Sequence, residues 1–440
     1  MSRGQRWAIG RVAGWLLGVS LVGSVAARPA CAADAPEGHA VAGATALADA
    51  AANSDPRNDA IHEPIRDRNG KSMRALHQAL AAAASGKGQA RIAFWGASHT
   101  AADFWTGQVR RRLQERYGDA GHGYVMPVRW HLGLRHQDVN VSASKGWQVH
   151  RYRQLDPVPV GDFGFGGVAV SSKDEAEWFR VSTCTDNVCG RNADRVELWL
   201  RSGPAAGGLR LRVDGEERTI TARSPRTDVV MHSIALTDGA HELEVRPLGD
   251  GETYLYGMIF DRKGPGVIVD QAGIPGMRGE IWLHWRADRF LKMVRHRAPH
   301  LIVLAYGTNA VGDDAPPVDE QARQWRQVLL RARSAAPKAS CLIIGTTDRP
   351  MAADAQGVRA HRPKIDAVTA MQRRVAAEYG CGHWDAFAAM GGKGSMARWV
   401  AAGLGRSDWV HLTQAGYELL GDRLVEALLQ GAPPARAAAP

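Results

Sequence analysis

The stretch RIAFWGASHTAADFWTGQVRRRLQERYG, residues 91–118, places a serine between two runs of different character. RIAFW (91–95) is short and apolar, as expected of a buried strand. DFWTGQVRRRLQERYG (103–118) has its apolar residues on one helical face and ends at a glycine, a helix stop signal. A strand followed directly by a helix is the repeating unit of a parallel sheet, and Ser98 lies in the connection.

The same alternation of strand and helix patterns returns after residue 263 and continues to 430. The strand-like runs are GVIVDQAG, LIVLAYG, CLIIGTTD and HWDAF, and amphipathic runs separate them and follow the last. Strands that alternate with helices predict a parallel sheet with helices on both faces. The sequence therefore predicts an α/β domain built from residues 61–130 and 263–430.

Between these two parts, the pattern of apolar and polar residues is different. From 131 to 262, apolar and polar residues alternate in several short runs, among them VELWLRS, LRLRVDG and TYLYGMIFD. DGEE and GDGE supply turn residues between such runs. This pattern is typical of a β-sandwich, which we expect to be inserted into the α/β domain.

The two ends of the chain read as segments outside the fold. Residues 1–33 combine early arginines, an apolar run shorter than the roughly 20 residues of a membrane span, and small residues at a cleavage position. They predict a secretory signal peptide cut after Ala32 or Ala33, hence a periplasmic or secreted protein, with an uncleaved anchor as the alternative. Residues 34–60 read as a flexible leader and 431–440 as a disordered tail.

The charge of the chain bears on its partners. Removing residues 1–32, which hold four arginines and no acid, lowers the formal net charge from +10 to +6. A basic exported protein suits a polyanionic wall or capsular substrate and peripheral association with the membrane or wall, although mild basicity could serve solubility alone. No nucleic-acid motif, HExxH or zinc-site spacing occurs, so we expect no nucleic acid, metal or cofactor.

Four cysteines follow the signal region, and an even number in an oxidising compartment permits two disulfides. The short loop CTDNVC favours a bond between Cys184 and Cys189. Cys341 and Cys381 each begin an apolar run and could meet at the edge of one sheet or remain buried thiols.

Chemically useful residues occur where strands of a parallel sheet would end, which is where doubly wound sheets place their active sites. GASHT contains Ser98, QAGIPGM contains Gly276, GTNA contains Asn309, and SDWVHLT contains Asp408 and His411. Each has an ordinary explanation: a helix cap for the serine, a left-handed turn for the glycine, a turn for the asparagine, and a solvated loop for the last pair.

Taken together, the same residues match the needs of acyl transfer. Ser98 supplies a hydroxyl nucleophile, His411 can accept its proton, and Asp408 can fix the imidazole tautomer. The backbone N–H groups of Ser98 and Gly276 and the side-chain amide of Asn309 can point at a developing oxyanion.

In their order, these motifs resemble the SGNH/GDSL hydrolase superfamily. GASHT stands for its GDS, QAGIPG for its glycine block, GTNA for GxND and DWVH for DxxH. Ala97 replaces the Asp of GDS and Ala310 that of GxND, positions without a nucleophile, base or oxyanion role in the family. The resemblance covers residues 61–130 and 263–430 and implies a flavodoxin-like three-layer αβα fold with the catalytic roles given above.

A closer resemblance is to bacterial peptidoglycan O-acetylesterases. It is carried by GASHTAADFWTG, by the inserted β-sandwich and by WDAFAAMGGKGSMARW before the last motif. In that family the inserted domain resembles a carbohydrate-binding module, and the substrate is the 6-O-acetyl group of N-acetylmuramic acid. The resemblance implies an acetyl-Ser98 intermediate and an O-acetylated cell-wall glycan or other acetylated polysaccharide as partner. Two alternatives stay open: a polysaccharide O-acetyltransferase with the same triad, and a non-catalytic glycan-binding protein.

Other conspicuous side chains carry weaker indications. Trp384 and Trp399 could stack on sugar rings, although buried aromatic residues are commoner. His99 adjoins the serine, but its position gives it no necessary role. Three further histidines share no clear face and are not expected to bind a metal: His284, His296 and His300.

Overall fold

The computed structural model describes four stretches of the chain: residues 54–127, 134–152, 160–184 and 189–434. All of them belong to one compact unit. The predicted signal peptide, positions 34–53 of the predicted leader and positions 435–440 of the predicted tail lie outside the described residues.

The strands, numbered in chain order, are β1 (Gln89–Gly96), β2 (Gly121–Val125), β3 (Val139–Ala143), β4 (Gln148–Arg151), β5 (Val168–Ser172), β6 (Phe179–Thr183), β7 (Ala193–Ser202), β8 (Leu209–Val213), β9 (Glu216–Ile220), β10 (Asp228–Gly239), β11 (Glu242–Pro247), β12 (Thr253–Asp261), β13 (Gly266–Gly273), β14 (Leu301–Ala305), β15 (Ser340–Ile344) and β16 (Gly382–Trp384).

The α-helices are α1 (Arg74–Ala84), α2 (Ser98–Ala101), α3 (Phe104–Tyr117), α4 (Ala287–Arg297), α5 (Val318–Ala335), α6 (Lys364–Glu378), α7 (Ala386–Met390), α8 (Ser395–Ala401) and α9 (Gln414–Leu429). Short 3₁₀ helices span Pro56–Asn58, Gly279–His284 and Thr308–Val311.

A five-stranded parallel sheet organises the α/β part, with strand order β13-β1-β14-β15-β16. Successive residues of β1 point to opposite faces. Ile92 and Phe94 join a core with helices α1, α3 and α9, whereas Ala93 and Trp95 join a core with α4, α5 and α6. The sheet is therefore covered on both faces, and the predicted three-layer α/β class with a flavodoxin-like strand order is confirmed.

Two antiparallel sheets interrupt this domain. One has six strands, in the order β10-β7-β12-β5-β4 with β2 paired to β12, and the other runs β3-β6-β11-β8-β9. Apolar side chains of both sheets, such as Leu198 and Phe179, fill the space between them. The other face of the six-stranded sheet carries Trp199 and Tyr256, which pack into the same core as Trp282. One face of the six-stranded sheet therefore packs in the core of the β-sandwich, and the other face packs in a core shared with the α/β part.

The antiparallel part begins earlier than the position 131 expected from the sequence. Strand β2, at residues 121–125, pairs with β12 in the six-stranded sheet. Its five residues are all buried and do not alternate between apolar and polar, so the strand has no two-residue period to reveal it.

One predicted helix is divided in two. The run from 279 to 297 reads as a continuous helix, but the structure has a 3₁₀ helix, a break at Trp285 and then α4. Arg331 on α5 donates to the backbone carbonyls of Trp282 and Trp285. Because these carbonyls bond to a side chain, the helical ladder is not needed to satisfy them.

The ends of the described chain are held by contacts, which corrects two boundaries. Residues 54–60 were expected to be part of a flexible leader, but Arg423 donates to the carbonyl of Pro56 at 2.6 Å and Arg398 pairs with Asp59 at 2.6 Å. At the other end, Tyr117 donates to the carbonyl of Pro433 at 2.9 Å, inside the predicted disordered tail. Both short segments therefore belong to the folded unit.

The cysteines behave differently from the preference expressed by the sequence. Cys341 and Cys381 form a disulfide that joins the region of β15 to the residue before β16. The favoured Cys184–Cys189 bond is not formed, so that preference is wrong. Closeness in sequence does not by itself bring two Cβ atoms to bonding geometry, whereas neighbouring strands of a sheet can.

A buried ion cluster lies between the parallel and the antiparallel parts. Arg297, at the end of α4, donates to Asp261 of β12 at 2.5 and 2.9 Å and to Asp270 of β13 at 2.7 and 2.9 Å. Burial acts to lower the pKa of Arg297, but the two carboxylates outweigh it and hold that pKa above its usual value. One guanidinium thus ties one strand of each sheet to a helix.

Within the described residues, no helix combines the length and apolar character that crossing a membrane requires.

Candidate active site

Ser98 lies at the carboxyl edge of the parallel sheet, as the first residue of the four-residue helix α2. Helix α2 rests directly on the end of β13: a Cβ atom at Gly273 would lie 2.2 Å from the backbone nitrogen of Ala101. The glycine therefore lets the helix that carries Ser98 approach the strand. As the first residue of a helix, Ser98 has a backbone N–H that no intrahelical carbonyl can accept.

The alternative role of Ser98, as cap of the following helix, is not what the structure has. Helix α3 begins after Asp103, which adopts a left-handed conformation at φ 52°. Ser98 begins the preceding helix, α2, and its hydroxyl is directed at His411 instead.

The hydroxyl of Ser98 lies next to His411, and His411 lies next to Asp408. His411 Nε2 is 2.8 Å from Ser98 Oγ, and His411 Nδ1 is 2.7 Å from Asp408 Oδ2. An ionised carboxylate only accepts hydrogen bonds, so Nδ1 carries the proton and Nε2 is left to accept from the serine hydroxyl. This is the arrangement of a general base aimed at a nucleophile.

The Asp-x-x-His loop holds its own carboxylate. Asp408 Oδ1 accepts the backbone N–H groups of Val410 and His411, each at 2.9 Å, and the intervening Trp409 has a left-handed φ of 59°. The side chains of Asp408 and His411 are 48% and 35% exposed. The loop therefore fixes the pair by local bonds while leaving it open to solvent.

The same bonds set the ionisation of Asp408. Its partial burial acts to raise the pKa, but the bonds from the His411 ring and from the two backbone N–H groups more than offset this. The pKa of Asp408 consequently lies well below its usual range, and the carboxylate stays charged throughout the physiological pH range.

The other predicted oxyanion residues, Gly276 and Asn309, are brought together because Asn309 bonds to the residue that follows Gly276. Gly276 is exposed and has φ 81°, a left-handed conformation that glycine adopts without strain. The Asn309 amide nitrogen donates to the backbone carbonyl of the next residue, Met277, at 3.0 Å. Because an amide nitrogen has two hydrogens, the second remains for an oxyanion.

His99 has a structural place beside the site. Its Nδ1 lies 2.8 Å from the Tyr417 hydroxyl, and its ring centroid is 5.4 Å from that of His411. Burial, followed by the nearby His411, lowers the pKa of His99 to about 3. His99 is therefore a neutral imidazole that lies beside the ring of His411.

The remaining side chains singled out from the sequence lie elsewhere. Trp384 and Trp399 are fully buried, and their indole N–H groups donate to the carbonyls of Glu63 and Met390. The three other histidines are dispersed: His284 stacks on Tyr152, His296 bonds to Glu197, and His300 accepts from the backbone of Arg91.

One group of metal-type ligands was missed in the sequence, because its members come from three separate segments. Asp103, His122 and His136 offer ligand atoms that lie within 4.8 Å of one another. The Asp103 carboxylate already accepts from Arg110, Thr106 and the backbone of Gln137. The adjacent guanidinium neutralises the carboxylate and opposes a cation, so these residues fit a metal poorly.

Two further residues at the edge of the sheet were also missed. Asp348 and Arg349 follow β15, which lies next to β14, the strand that leads to Asn309. Asp348 Oδ2 accepts the backbone N–H of Met396 at 2.9 Å and so holds the start of α8. Arg349 donates to the carbonyl of Thr308 at 3.1 Å. Their place after a strand of the sheet is the signal that could have identified them.

Comparison with known proteins gives a consistent result. A model of the GDSL-like lipase/acylhydrolase family matches residues 220–419, a range that includes Gly276, Asn309, Asp408 and His411 but not Ser98. No curated protein matches the chain. A solved structure of a peptidoglycan O-acetylesterase matches with 26% identity and a TM-score of 0.70, over 84% of this chain and 99% of that one.

More distant structures match with low similarity. A family two carbohydrate esterase from Cellvibrio japonicus is 11% identical, with a TM-score of 0.26, over 66% of this chain and 97% of that one.

Proposed function

We propose that this chain, an ester hydrolase of the SGNH/GDSL type, removes O-acetyl groups from a cell-wall glycan, with the 6-O-acetyl group of N-acetylmuramic acid in peptidoglycan as substrate. The observation that carries the proposal is the hydrogen-bonded series Ser98–His411–Asp408, in a chain that resembles a peptidoglycan O-acetylesterase over 84% of its length. The proposal includes export to the periplasm or the medium, where that substrate is found.

In the first half of the proposed reaction, Ser98 Oγ attacks the acetyl carbonyl while His411 Nε2 accepts the serine proton. The carbonyl oxygen becomes an oxyanion, which the N–H groups of Ser98 and Gly276 and the amide of Asn309 stabilise. Collapse of this intermediate breaks the ester bond. The sugar oxygen leaves with the proton that His411 returns, and an acetyl-Ser98 ester remains.

In the second half, water replaces the sugar. His411 accepts a proton from the water molecule, whose oxygen attacks the acetyl carbonyl, and the second tetrahedral intermediate releases acetate while Ser98 recovers its proton. Asp408 stays ionised and stabilises the imidazolium formed in each half. The exposure of the Asp408–His411 loop supports this step, because water can reach the acetylated serine from that side.

The β-sandwich has a supporting part in the proposal. We assign it the role of a carbohydrate-binding module that holds the glycan strand while the parallel-sheet part carries out the chemistry. The shared core between the six-stranded sheet and the α/β part fixes the two at a constant separation, as recognition of one polymer at two places requires.

The test is acetate release from O-acetylated peptidoglycan by the mature protein and by Ser98→Ala. Ser334→Ala, an exposed serine on α5, is the matched control and should retain full activity. Release by the wild type and the control but not by Ser98→Ala supports the proposal. If the wild type hydrolyses p-nitrophenyl acetate but releases nothing from peptidoglycan, the substrate assignment is wrong. Transfer of acetyl to an added sugar in place of water would identify an O-acetyltransferase instead.

The export step has a separate test. Mass spectrometry of the protein recovered from a bacterial periplasm should show an N-terminus at Ala33 or Asp34. An intact N-terminus in the membrane fraction would instead identify residues 1–33 as an anchor.

A further inference from the structure

Arg349 is fixed at the rim of the active site, next to the oxyanion residues. It lies in the loop that follows β15 and is partly buried, and its Nη1 donates to the carbonyl of Thr308, the residue before Asn309, at 3.1 Å. Its charge is close enough to act on both Asp408 and His99. A guanidinium has five N–H donors, and this carbonyl uses one of them.

Among the described residues, no carboxylate forms an ion pair with Arg349. Three carboxylates act on its charge from beyond ion-pair distance, those of Asp313, Asp314 and Asp408. Each is bonded to another group: Asp313 pairs with Arg362, Asp314 pairs with Arg278 at 3.1 Å, and Asp408 bonds to His411 at 2.7 Å. A partly buried guanidinium without a directly paired carboxylate leaves N–H donors available for a ligand. The position is therefore suited to an anion that arrives from outside the chain.

Cations as well as carboxylates lie around Arg349. Arg359 lies over the ring of Trp409 at 4.7 Å, beside the Asp-x-x-His loop. Lys364 donates to the carbonyls of Gly312 and Ala315 at 3.0 and 2.8 Å, and no carboxylate of the described stretches forms an ion pair with it. Clustered cations at the mouth of a site raise the local concentration of an anionic substrate.

A competing explanation is that Arg349 stabilises the ionised carboxylate of Asp408. The Asp408 carboxylate is, however, already bonded by the His411 ring and by two backbone N–H groups, and no hydrogen bond joins it to Arg349 in the described structure. The free donors of Arg349 consequently have no task within the triad.

We propose that Arg349 is a substrate-binding residue that takes a carboxylate of the acetylated glycan, such as one carried by the peptides of peptidoglycan. This rests on the proposed function and specifies that the preferred substrate is anionic close to the ester. Arginine suits the task because its planar fork of N–H groups matches the two oxygens of a carboxylate.

The experiment compares kcat/KM of the wild type and Arg349→Gln on three substrates: p-nitrophenyl acetate, O-acetylated peptidoglycan, and the same peptidoglycan with its carboxylates converted to methylamides. In Arg349→Gln, the ratio of kcat/KM on native peptidoglycan to that on p-nitrophenyl acetate should fall roughly 10- to 100-fold. Amidation should lower wild-type kcat/KM by a similar factor and should have no further effect in the variant.

Lys338→Gln is the matched control, because it removes one exposed charge at the opposite end of the same strand, and all three of its rates should equal those of the wild type. The subsite would be overturned if the ratio of the two kcat/KM values were unchanged in Arg349→Gln. It would also be overturned if this substitution lowered kcat/KM on amidated peptidoglycan as much as on native peptidoglycan. An equal loss on p-nitrophenyl acetate would assign Arg349 to the catalytic centre. Wild type that acts on p-nitrophenyl acetate but on neither peptidoglycan would overturn the proposed function itself, and the subsite with it.

Discussion

Two groups of side chains in this protein each bond aspartate to a basic residue, but in opposite surroundings. The Asp408–His411 pair is 48% and 35% exposed and is held by a short loop. The Arg297–Asp261–Asp270 cluster is almost completely buried and joins two sheets to a helix. Water can replace a lost partner in the first group, but nothing replaces it in the second. Substitutions in the first group should therefore lower activity without lowering stability. Substitutions in the second group should lower the free energy of unfolding.

The sharpest test of this contrast is removal of the nucleophile or the base. Ser98→Ala and His411→Ala should each lower kcat by about 10⁶-fold, because each ends the shared proton transfer. Their free energies of unfolding should stay within about 0.5 kcal/mol of the wild type, since both side chains lie at the surface of the site. Steady-state hydrolysis of p-nitrophenyl acetate and urea unfolding measure the two effects, and a large loss of stability would break the contrast.

Asp408→Asn should have a smaller effect. It keeps the shape of the loop but can no longer hold the proton of His411 on Nδ1, so kcat should fall by about 10⁴-fold. The measurement is kcat for Asp408→Asn beside Ser98→Ala in one assay. Equal losses would mean that Asp408 does more than orient the imidazole.

The buried cluster should respond in the opposite sense. Arg297→Met leaves two buried carboxylates without their shared partner and should cost about 3–5 kcal/mol of unfolding free energy. Its folded fraction should keep the wild-type kcat. Arg326→Met, which removes an exposed ion pair with Glu378, is the control and should leave the urea midpoint unchanged. A wild-type midpoint for Arg297→Met would show that the cluster does not stabilise the fold.

The smallest expected effect is on the pH dependence of stability, to which the buried His383 contributes. Burial lowers the pKa of His383 to about 3, so this residue is neutral in the fold but binds a proton at about pH 6.5 when the chain unfolds. Its contribution to stability is complete above pH 6.5 and is lost as the pH falls toward 3, by about 2 kcal/mol between pH 6.5 and 5.

His383→Leu should remove that part of the pH dependence and leave the rest. Neither ring nitrogen of His383 has a hydrogen-bond partner within the part of the chain that the structure describes, so an apolar replacement removes no bond seen there. Urea unfolding at pH 5, 6 and 7 gives the slope, and an unchanged slope in the variant would mean that His383 titrates normally in the fold.

The sequence was a good guide wherever a structural relation is local. Asp408 and His411 are bonded through a loop of their own residues, so their spacing, read together with the other motifs, predicts the pair. The strands of the parallel sheet have continuous apolar runs because both of its faces are covered. The five-stranded sheet and its helices could be predicted for this reason.

Relations between distant segments left no such signal. Arg297, Asp261 and Asp270 have no characteristic spacing, and neither does the break that Arg331 imposes before α4. Likewise, the contact of Arg349 with the residue before Asn309 can be recognised only once β15 is known to lie beside β14. These features depend on which surfaces meet in three dimensions, and no local pattern in one segment encodes its partner.

The distance along the chain between the proposed nucleophile and the proposed base has a consequence for biosynthesis. Ser98 and His411 are 313 positions apart, and the base comes second. While a ribosome is still adding the intervening residues, the nascent chain holds a serine that nothing deprotonates. Any fragment that stops short of Asp408 is in the same condition, so under the proposed mechanism hydrolysis becomes possible only after residues 408–411 have been translated.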